Sequence, residues 1–180
     1  MTTGNYKLDE HYRKTSTGFQ IQTLVDLTID AAFINEDATS IILKTNDGRY
    51  FEITHRTDCC EWVYFAHVNS AEFLIGAKIL MADAMEWKDL MDTHQHEAKS
   101  GSGKTDILDS MGITLSTDKG FVQLETRAEG NGQYSCELSV NDMAMNEPTN
   151  VREKDGSLYT YWINNGKESQ GEKYSPLKDF

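Results

Sequence analysis

Short runs of β-branched and aromatic residues recur along the chain, and residues that favour tight turns separate them. In the clearest case, Thr39–Thr45 and Arg49–Thr54 flank an Asn-Asp-Gly turn. An Asp-Gly pair between two β-prone runs is a strong hairpin signal. A second hairpin is predicted for residues 113–117 and 121–126, around an Asp-Lys-Gly turn. The chain is therefore predicted to fold around antiparallel β-sheet.

The rest of the pattern adds further strands and one short helix. Ser70 is placed to cap a helical turn over residues 70–76, and Gly76 is placed to end it in the left-handed conformation. Residues 77–85 fit a strand, but they also place methionines on one face of a helix, so both assignments stay open. Residues 93–110 are predicted to be a loop. Further strands are predicted at residues 27–34, 61–68, 134–140 and 157–163.

These elements predict an α+β fold: a twisted, mainly antiparallel sheet of about five to eight strands with one short helix. Residues 1–18 are polar and are predicted to form a flexible arm. Residues 19–142 are predicted to form the β-rich domain. Residues 143–180 are predicted to be a C-terminal extension that contains a strand or hairpin.

The charge of the chain is strongly negative. It has 17 Lys and Arg against 29 Asp and Glu, which gives a formal net charge of −12. Nearly all of the imbalance lies in residues 31–149, which hold nine basic and twenty acidic residues. A basic surface for phosphate groups is therefore excluded, and so is direct nucleic-acid binding by that route. A protein partner with a basic surface fits the charge better.

Hydropathy gives an expectation about location. No apolar run approaches the roughly 18 residues that a membrane-spanning helix needs. The first residues lack the apolar stretch of a secretory signal, and the three cysteines are an odd number. A cytoplasmic protein with reduced thiols and no membrane contact is expected.

One segment concentrates residues that carry chemistry: His55, Asp58, Cys59, Cys60 and Glu61. Thiolate and imidazole groups are preferred zinc ligands, and an imidazole near a thiol can lower the thiol pKa. Adjacent cysteines, however, point to opposite faces of a strand. A structural role is therefore the favoured interpretation, while a metal site that also uses His67 and a cysteine nucleophile remain alternatives.

The same cluster carries a family resemblance. The order of strand, Asp-Gly turn, strand, H-x-x-D-C-C-E and then Leu74–Leu80 resembles a domain family of unknown function found among small phage and bacterial proteins. The resemblance covers about residues 20–142. The chain departs from the pattern at Thr57 and in its long extension beyond residue 142. The resemblance implies a phage origin and a compact α+β domain, but no activity.

No cofactor and no metal are expected. Residues 98–105 partly match a phosphate-binding loop, but the preceding segment is too polar for the buried strand that such a loop requires. These residues are interpreted as a loop.

Two sets of residues are candidates for binding a partner. Acidic side chains recur at every third position in one segment, which would form a slowly winding stripe on a helix. They are Asp83, Glu86, Asp89 and Asp92. Aromatic side chains, which protein interfaces favour, cluster in the extension. They are Tyr159, Tyr161 and Trp162.

The sequence as a whole favours a non-enzymatic phage protein that acts in the host cytoplasm by binding another protein. An inhibitor of a host or defence factor would fit this description. One alternative is a small enzyme or a ligand- or metal-binding domain that uses His55, Asp58 and Cys59. Another alternative is a minor virion component.

Overall fold

The computed structural model describes residues 20–55, 61–86, 106–130, 137–144 and 150–180. Strands dominate these ranges. They are β1 (Thr28–Asn35), β2 (Ser40–Thr45), β3 (Tyr50–Thr54), β4 (Glu61–Asn69), β5 (Ala77–Glu86), β6 (Asp106–Thr117), β7 (Phe121–Gly130), β8 (Ser139–Asp142), β9 (Asn150–Lys154), β10 (Ser157–Asn164) and β11 (Lys167–Pro176).

Antiparallel pairings connect all eleven described strands, and these strands divide into two sheets that the short β1–β5 pairing joins. The first sheet has the order β8-β3-β2-β1-β11-β10-β9, and the second has the order β4-β7-β6-β5. Most neighbours in the sheets also follow one another in sequence; short turns join all of these pairs except β5 and β6, which residues 87–105 separate. The first sheet breaks this rule where β11 returns to pair with β1, and β8 returns to pair with β3.

Strand β1 connects the two sheets because its edges have three partners. One edge pairs with β2 from Ile29 to Ile34, through a β-bulge between Ile29 and Ala31. The other edge pairs with β5 at residues 28–29 and with β11 at residues 33–35. The two sheets therefore diverge along β1.

The main hydrophobic core lies between the two sheets. Side chains from the first sheet, such as Leu43 and Ile53, and from the second sheet, such as Phe65 and Ile113, belong to one cluster with almost no exposure. Alternate residues of a strand face the same side of a sheet, so each strand contributes every second side chain to this core. The architecture is a β-sandwich.

A second, smaller core lies on the opposite face of the first sheet. It contains Phe33, Ile42, Leu158 and Tyr174, each 5 % exposed or less. Two of these residues come from β1 and β2, and two come from β10 and β11. The β10–β11 hairpin therefore packs against the rest of the sheet as well as extending it.

Residues after β11 connect the first sheet to the free side of β4. The Leu177 amide donates to the Ala32 carbonyl at 2.8 Å, and the Leu177 side chain enters the main core. Phe180 then exchanges two backbone hydrogen bonds with Val68 of β4, both 3.1 Å long. The Asp179 carboxylate also accepts the Ala71 amide at 2.7 Å. These contacts close one side of the sandwich.

The predicted α+β fold is wrong, because the structure is almost entirely antiparallel β-sheet. Residues 70–76 hold only a 3-10 turn, Ala71–Phe73, and Ser70 has a positive φ without a capping hydrogen bond from its side chain. Tertiary contacts explain the short length. The Gly76 amide donates to the Ile29 carbonyl, and the Thr117 hydroxyl and the Lys119 ammonium group bind the carbonyls of Phe73 and Ile75. A longer helix would need these same backbone groups.

The strand predictions that follow are confirmed, whereas the loop prediction for residues 93–110 is partly wrong. Both hairpins are confirmed, with β2 paired to β3 and β6 paired to β7. The ambiguous residues 77–85 lie in β5, so the strand assignment is correct. The loop prediction fails for residues 106–110, which β6 includes because they pair with the end of β7. Within the described ranges, no helix is long and apolar enough to cross a membrane.

The predicted division of the chain stays a prediction. Residues 1–18, the predicted arm, lie outside the described residues. In the predicted extension, residues 150–176 form β9, β10 and β11, and β11 pairs with β1.

Candidate functional site

The predicted cluster around the paired cysteines is only partly described. His55 follows β3, and its Nδ1 donates to the Glu137 carbonyl at 2.7 Å. The backbone of Glu61 begins β4 and pairs with Gly130. Asp58, Cys59 and Cys60 lie outside the described residues. A role for this cluster therefore stays a prediction.

The two histidines of the alternative metal site lie on different sheets. His55 follows a strand of the first sheet, whereas His67 is exposed on β4 of the second sheet. The His67 Nε2 accepts a hydrogen bond from the Arg127 guanidinium at 3.3 Å. In the part of the chain that the structure describes, no group of three or more His, Cys, Asp or Glu side chains could hold a metal ion.

The predicted acidic stripe requires a helix, but its first two members lie in a strand. Asp83 and Glu86 belong to β5, and Asp83 is half-buried opposite Thr114. The remaining members, Asp89 and Asp92, lie outside the described residues. A helical stripe therefore does not form at Asp83 and Glu86, and partner binding by the four residues stays a prediction.

The predicted aromatic residues lie along β10. Tyr159 and Tyr161 are half-buried, and the Arg152 guanidinium carbon lies 4.8 Å from the centre of the Tyr161 ring. Trp162 and Ile163 are 46 % and 55 % exposed, near the tip of the β10–β11 hairpin. Strand β9 pairs with β10 only as far as Tyr161, so the hairpin beyond it is two-stranded among the described residues. Trp162 is thus accessible to a partner.

The basic groups of residues 20–144 are engaged within the protein. Salt bridges join Lys44 to Asp30 and Glu153, Arg49 to Asp47, Lys78 to Asp26, and Arg127 to Glu125. The ammonium group of Lys119 donates to the Ile75 carbonyl at 2.6 Å. These are all the Lys and Arg residues described in this range. The cationic groups are therefore already bound to oxygen atoms of the same chain.

Several carboxylates near β4 are exposed instead. Glu36 and Asp37 lie in the β1–β2 turn, whose Ala38 carbonyl accepts the Phe65 amide of β4 at 2.7 Å. Glu72 lies in the 3-10 turn that follows the same strand. Among the described residues, no cation pairs with these three carboxylates. We call Glu36, Asp37 and Glu72 the acidic edge.

A cleft of about 440 Å³ opens where β1 changes partner from β5 to β11. Its lining combines apolar residues with three carboxylates. The residues are Asp30, Ala31, Ala32, Phe33, Ile75, Glu153, Lys154, Asp155, Gly156, Pro176 and Leu177. Sequence reasoning missed this cleft because its lining comes from four distant segments, and only the Asp155-Gly156 turn has a recognisable pattern.

Hydrogen bonds order one side of the cleft. The Glu153 carboxylate lies 2.6 Å from the Lys44 ammonium group and accepts a hydrogen bond from the Tyr50 hydroxyl at 2.8 Å. The Lys44 hydrogen bond is the largest cause that lowers the pKa of Glu153, and the same bond raises the pKa of Lys44. Burial, followed by the bond to Glu153, raises the pKa of Tyr50. All three groups therefore keep their neutral-pH protonation states over a wide pH range.

Two buried tyrosines make the free energy of unfolding depend on pH in the alkaline range. The Tyr64 hydroxyl donates to Glu129 at 3.0 Å, and burial, followed by this hydrogen bond, raises the pKa of Tyr64 to about 12. Burial also raises the pKa of Tyr174, whose side chain is 2 % exposed. A phenol with a raised pKa in the folded state stabilises the fold below its unfolded pKa, near 10. That contribution is lost as pH rises through the folded pKa.

We therefore expect the free energy of unfolding to fall as pH rises above about 10, by up to about 1.4 kcal/mol per pH unit for each phenol. Urea denaturation at pH values from 8 to 12 measures how the free energy of unfolding depends on pH. Tyr64→Phe should reduce the slope, because it removes one of the phenols whose pKa is raised in the folded state. Tyr159→Phe, at a half-buried position, is the control. An unchanged slope in Tyr64→Phe would contradict the assignment.

Comparison with known proteins gives one match. The model of a domain of unknown function, DUF7448, matches residues 14–140, which is more than half of the chain. The chain belongs to the DUF7448 family. Comparisons with curated proteins and with solved structures found no match. The resemblance inferred from the sequence, to a domain family of unknown function, is confirmed.

A polar network joins the DUF7448 region to residues beyond it. The Tyr174 hydroxyl lies 3.2 Å from the Ser40 hydroxyl and 3.1 Å from the Glu172 carboxylate. Asn35, in β1, donates to the same carboxylate at 3.0 Å, and the Ser40 hydroxyl donates to Glu52 at 2.9 Å. Tyr174 and Glu172 lie after residue 140. Residues outside the family match therefore help to hold the first sheet together.

Proposed function

We propose that this protein is a non-enzymatic binding protein that docks onto a protein partner with a basic surface. On this proposal it is a phage protein that acts in the host cytoplasm as an inhibitor of a host or defence factor. The H-x-x-D-C-C-E motif, which resembles small phage and bacterial proteins, supports the proposed origin. The DUF7448 family has no described function, so it assigns no activity to the chain.

The main support for this proposal is which charged groups are paired within the chain and which are exposed. From residue 20 to residue 144, every described Lys and Arg is bound to an oxygen of the same chain, while the acidic edge is exposed. Exposed charges of one sign attract a partner of the opposite sign from a distance and raise the association rate. This attraction weakens with added salt, because the Debye length is about 8 Å at physiological ionic strength.

The exposed aromatic side chain of Trp162 supports the same proposal. Charge raises the association rate and selects the partner, whereas large buried side chains supply most of the binding free energy of an interface. Trp162 and Ile163 offer such side chains near the tip of the β10–β11 hairpin. An acidic surface together with an apolar anchor is a combination that suits a binding protein.

Neutralising the acidic edge is expected to weaken capture of the partner. The experiment compares the unmodified protein with the triple variant Glu36→Gln, Asp37→Asn and Glu72→Gln as baits in host lysate, with quantitative mass spectrometry. A basic protein should be captured by the unmodified bait, lost at high salt and reduced at least fivefold with the triple variant. This loss corresponds to about 1 kcal/mol over three exposed charges.

The control is a double variant, Gln170→Ala and Ser175→Ala, at exposed neutral positions of β11. It should capture the same protein as the unmodified bait. Equal capture by the triple variant, or capture that does not respond to salt, would contradict the proposed function.

A further inference from the structure

The cleft beside β1 offers a specific place for a cationic side chain. Strand β1 pairs with β5 at residues 28–29 and with β11 at residues 33–35, and Asp30 to Ala32 line the cleft between these pairings. Because β1 is also paired with β2 on its other edge, the part of the cleft lining that β1 contributes belongs to the sheet itself. A site on paired strands needs little rearrangement on binding.

The cleft lining has an apolar part, which we call the floor. Phe33 and Leu177 are buried, and Ile75 is 40 % exposed. Ala31 and Pro176 complete this surface. Such a floor suits the aliphatic or planar part of a side chain, which gains free energy when it leaves water.

The cleft lining also has a charged part, mainly acidic, which we call the rim. Asp30, Glu153 and Asp155 line it together with one cation, Lys154. Lys44 approaches the same carboxylates, with its ammonium group 3.5 Å from Asp30 and 2.6 Å from Glu153. Even when both lysines are counted, carboxylates outnumber ammonium groups. The rim is therefore complementary to an additional positive charge.

Asp155 is held in place by its turn. It has a φ of 54° and is followed by Gly156 with a φ of 75°, which is the geometry of a tight turn between antiparallel strands. Strands β9 and β10 pair directly beside it, from Lys154 to Ser157. The turn thus sets the position of the Asp155 backbone at the rim.

We propose that the cleft binds an arginine side chain of the basic partner, with the stem on the apolar floor and the guanidinium group at Asp30 and Asp155. This inference rests on the proposed function and assigns part of its partner contact. Arginine fits better than lysine because its guanidinium group is planar, weakly hydrated and able to form paired hydrogen bonds with a carboxylate. The cleft volume exceeds that of one side chain, so residues that flank the arginine enter as well.

The test uses the full chain, labelled with ¹⁵N, and a capped Gly-Gly-Arg-Gly-Gly peptide as the probe. Amide signals of Ala31, Ile75 and Gly156 should shift on titration, whereas distant signals should not. A peptide with citrulline in place of arginine keeps the shape without the charge. It should bind at least about fivefold more weakly.

Asp155→Asn removes one rim charge and keeps a residue that tolerates a positive φ. It should weaken binding of the arginine peptide about threefold to fivefold. Asp26→Asn is the matched control, because Asp26 is exposed, has a φ of 71° and does not line the cleft. It should leave the affinity unchanged, and thermal melting should verify that both variants fold.

Three outcomes would overturn the proposal: no shifts at the cleft, equal binding of the citrulline peptide, or equal effects of Asp155→Asn and Asp26→Asn. The capture experiment in host lysate distinguishes a failure of the cleft assignment from a failure of the proposed function. If the acidic-edge variant loses the partner while Asp155→Asn retains it, only the cleft assignment fails. If no basic protein is captured in a salt-dependent way, the proposed function fails as well.

Discussion

Replacing Leu177 by alanine is expected to lower the free energy of unfolding by about 3 kcal/mol. Leu177 is 8 % exposed and packs in the main core, although it lies well beyond the residues that match the family. The substitution removes buried apolar surface and leaves a cavity where the chain crosses from β11 towards β4. Urea denaturation measures the change.

Lys178→Ala is the control for this prediction, because its side chain is exposed and next in sequence. It is expected to change the free energy of unfolding by less than about 0.5 kcal/mol. Equal stability of Leu177→Ala and the unmodified protein would mean that residues 177–180 do not help to close the sandwich.

Replacing Gly171 by alanine is expected to destabilise the protein by about 2 kcal/mol or more, because the β10–β11 hairpin has no space for a Cβ atom. An ideal Cβ at this position would lie 2.5 Å from the Thr160 hydroxyl oxygen and 2.8 Å from the Thr160 carbonyl oxygen. The second atom belongs to the backbone, so the strands must separate. Gly171 lies beside the irregular register between Tyr159 and Tyr161.

A second substitution tests this explanation. Combining Gly171→Ala with Thr160→Ala removes the hydroxyl group but leaves the carbonyl oxygen, so most of the loss should remain. Gln170→Ala, at the exposed neighbouring position, should be neutral within about 0.5 kcal/mol. Full recovery in the double variant would show that the side chain alone causes the strain.

Local sequence predicted the two confirmed hairpins because hairpins depend on neighbouring residues. The Asp-Gly pair between β2 and β3 gives a turn in which Gly48 has a φ of 84°, and the flanking strands then pair without help from distant segments. Strand β6 begins earlier than predicted. Residues 106–110 pair with the end of β7, and their own polar pattern does not reveal this pairing.

The prediction of a helix at residues 70–76 was wrong because it too considered only neighbouring residues. Ser70 and Gly76 have the residue types that begin and end a helix, and Gly76 does adopt a positive φ of 67°. The backbone groups between them bind Ile29, Thr117 and Lys119 instead. Those partners lie at least 40 residues away in sequence, so local propensity could not include them.

Some features of the candidate site could also be predicted from local sequence, whereas others could not. The acidic excess was visible in composition, and the aromatic residues of β10 were visible in the pattern of residues 157–163. The cleft was not visible, because Asp30, Ile75 and Asp155 meet only after β1 has paired with both β5 and β11. Likewise, the sequence could not show which lysines are already paired with carboxylates.

For this protein, the residue order by itself determined the β-rich character, the positions of the tight turns and the negative charge, because each depends on residue type or on near neighbours. Only the tertiary structure decided how β1 divides its edge between two sheets, and that residues 174–180 complete the sandwich. Those features depend on contacts between distant segments: Ile29 pairs with Ala77, 48 residues away, and residues 174–180 contact β1 and β4 across more than 100 residues. Such contacts form only when burial and hydrogen bonding compensate the entropy lost in ordering the chain between them.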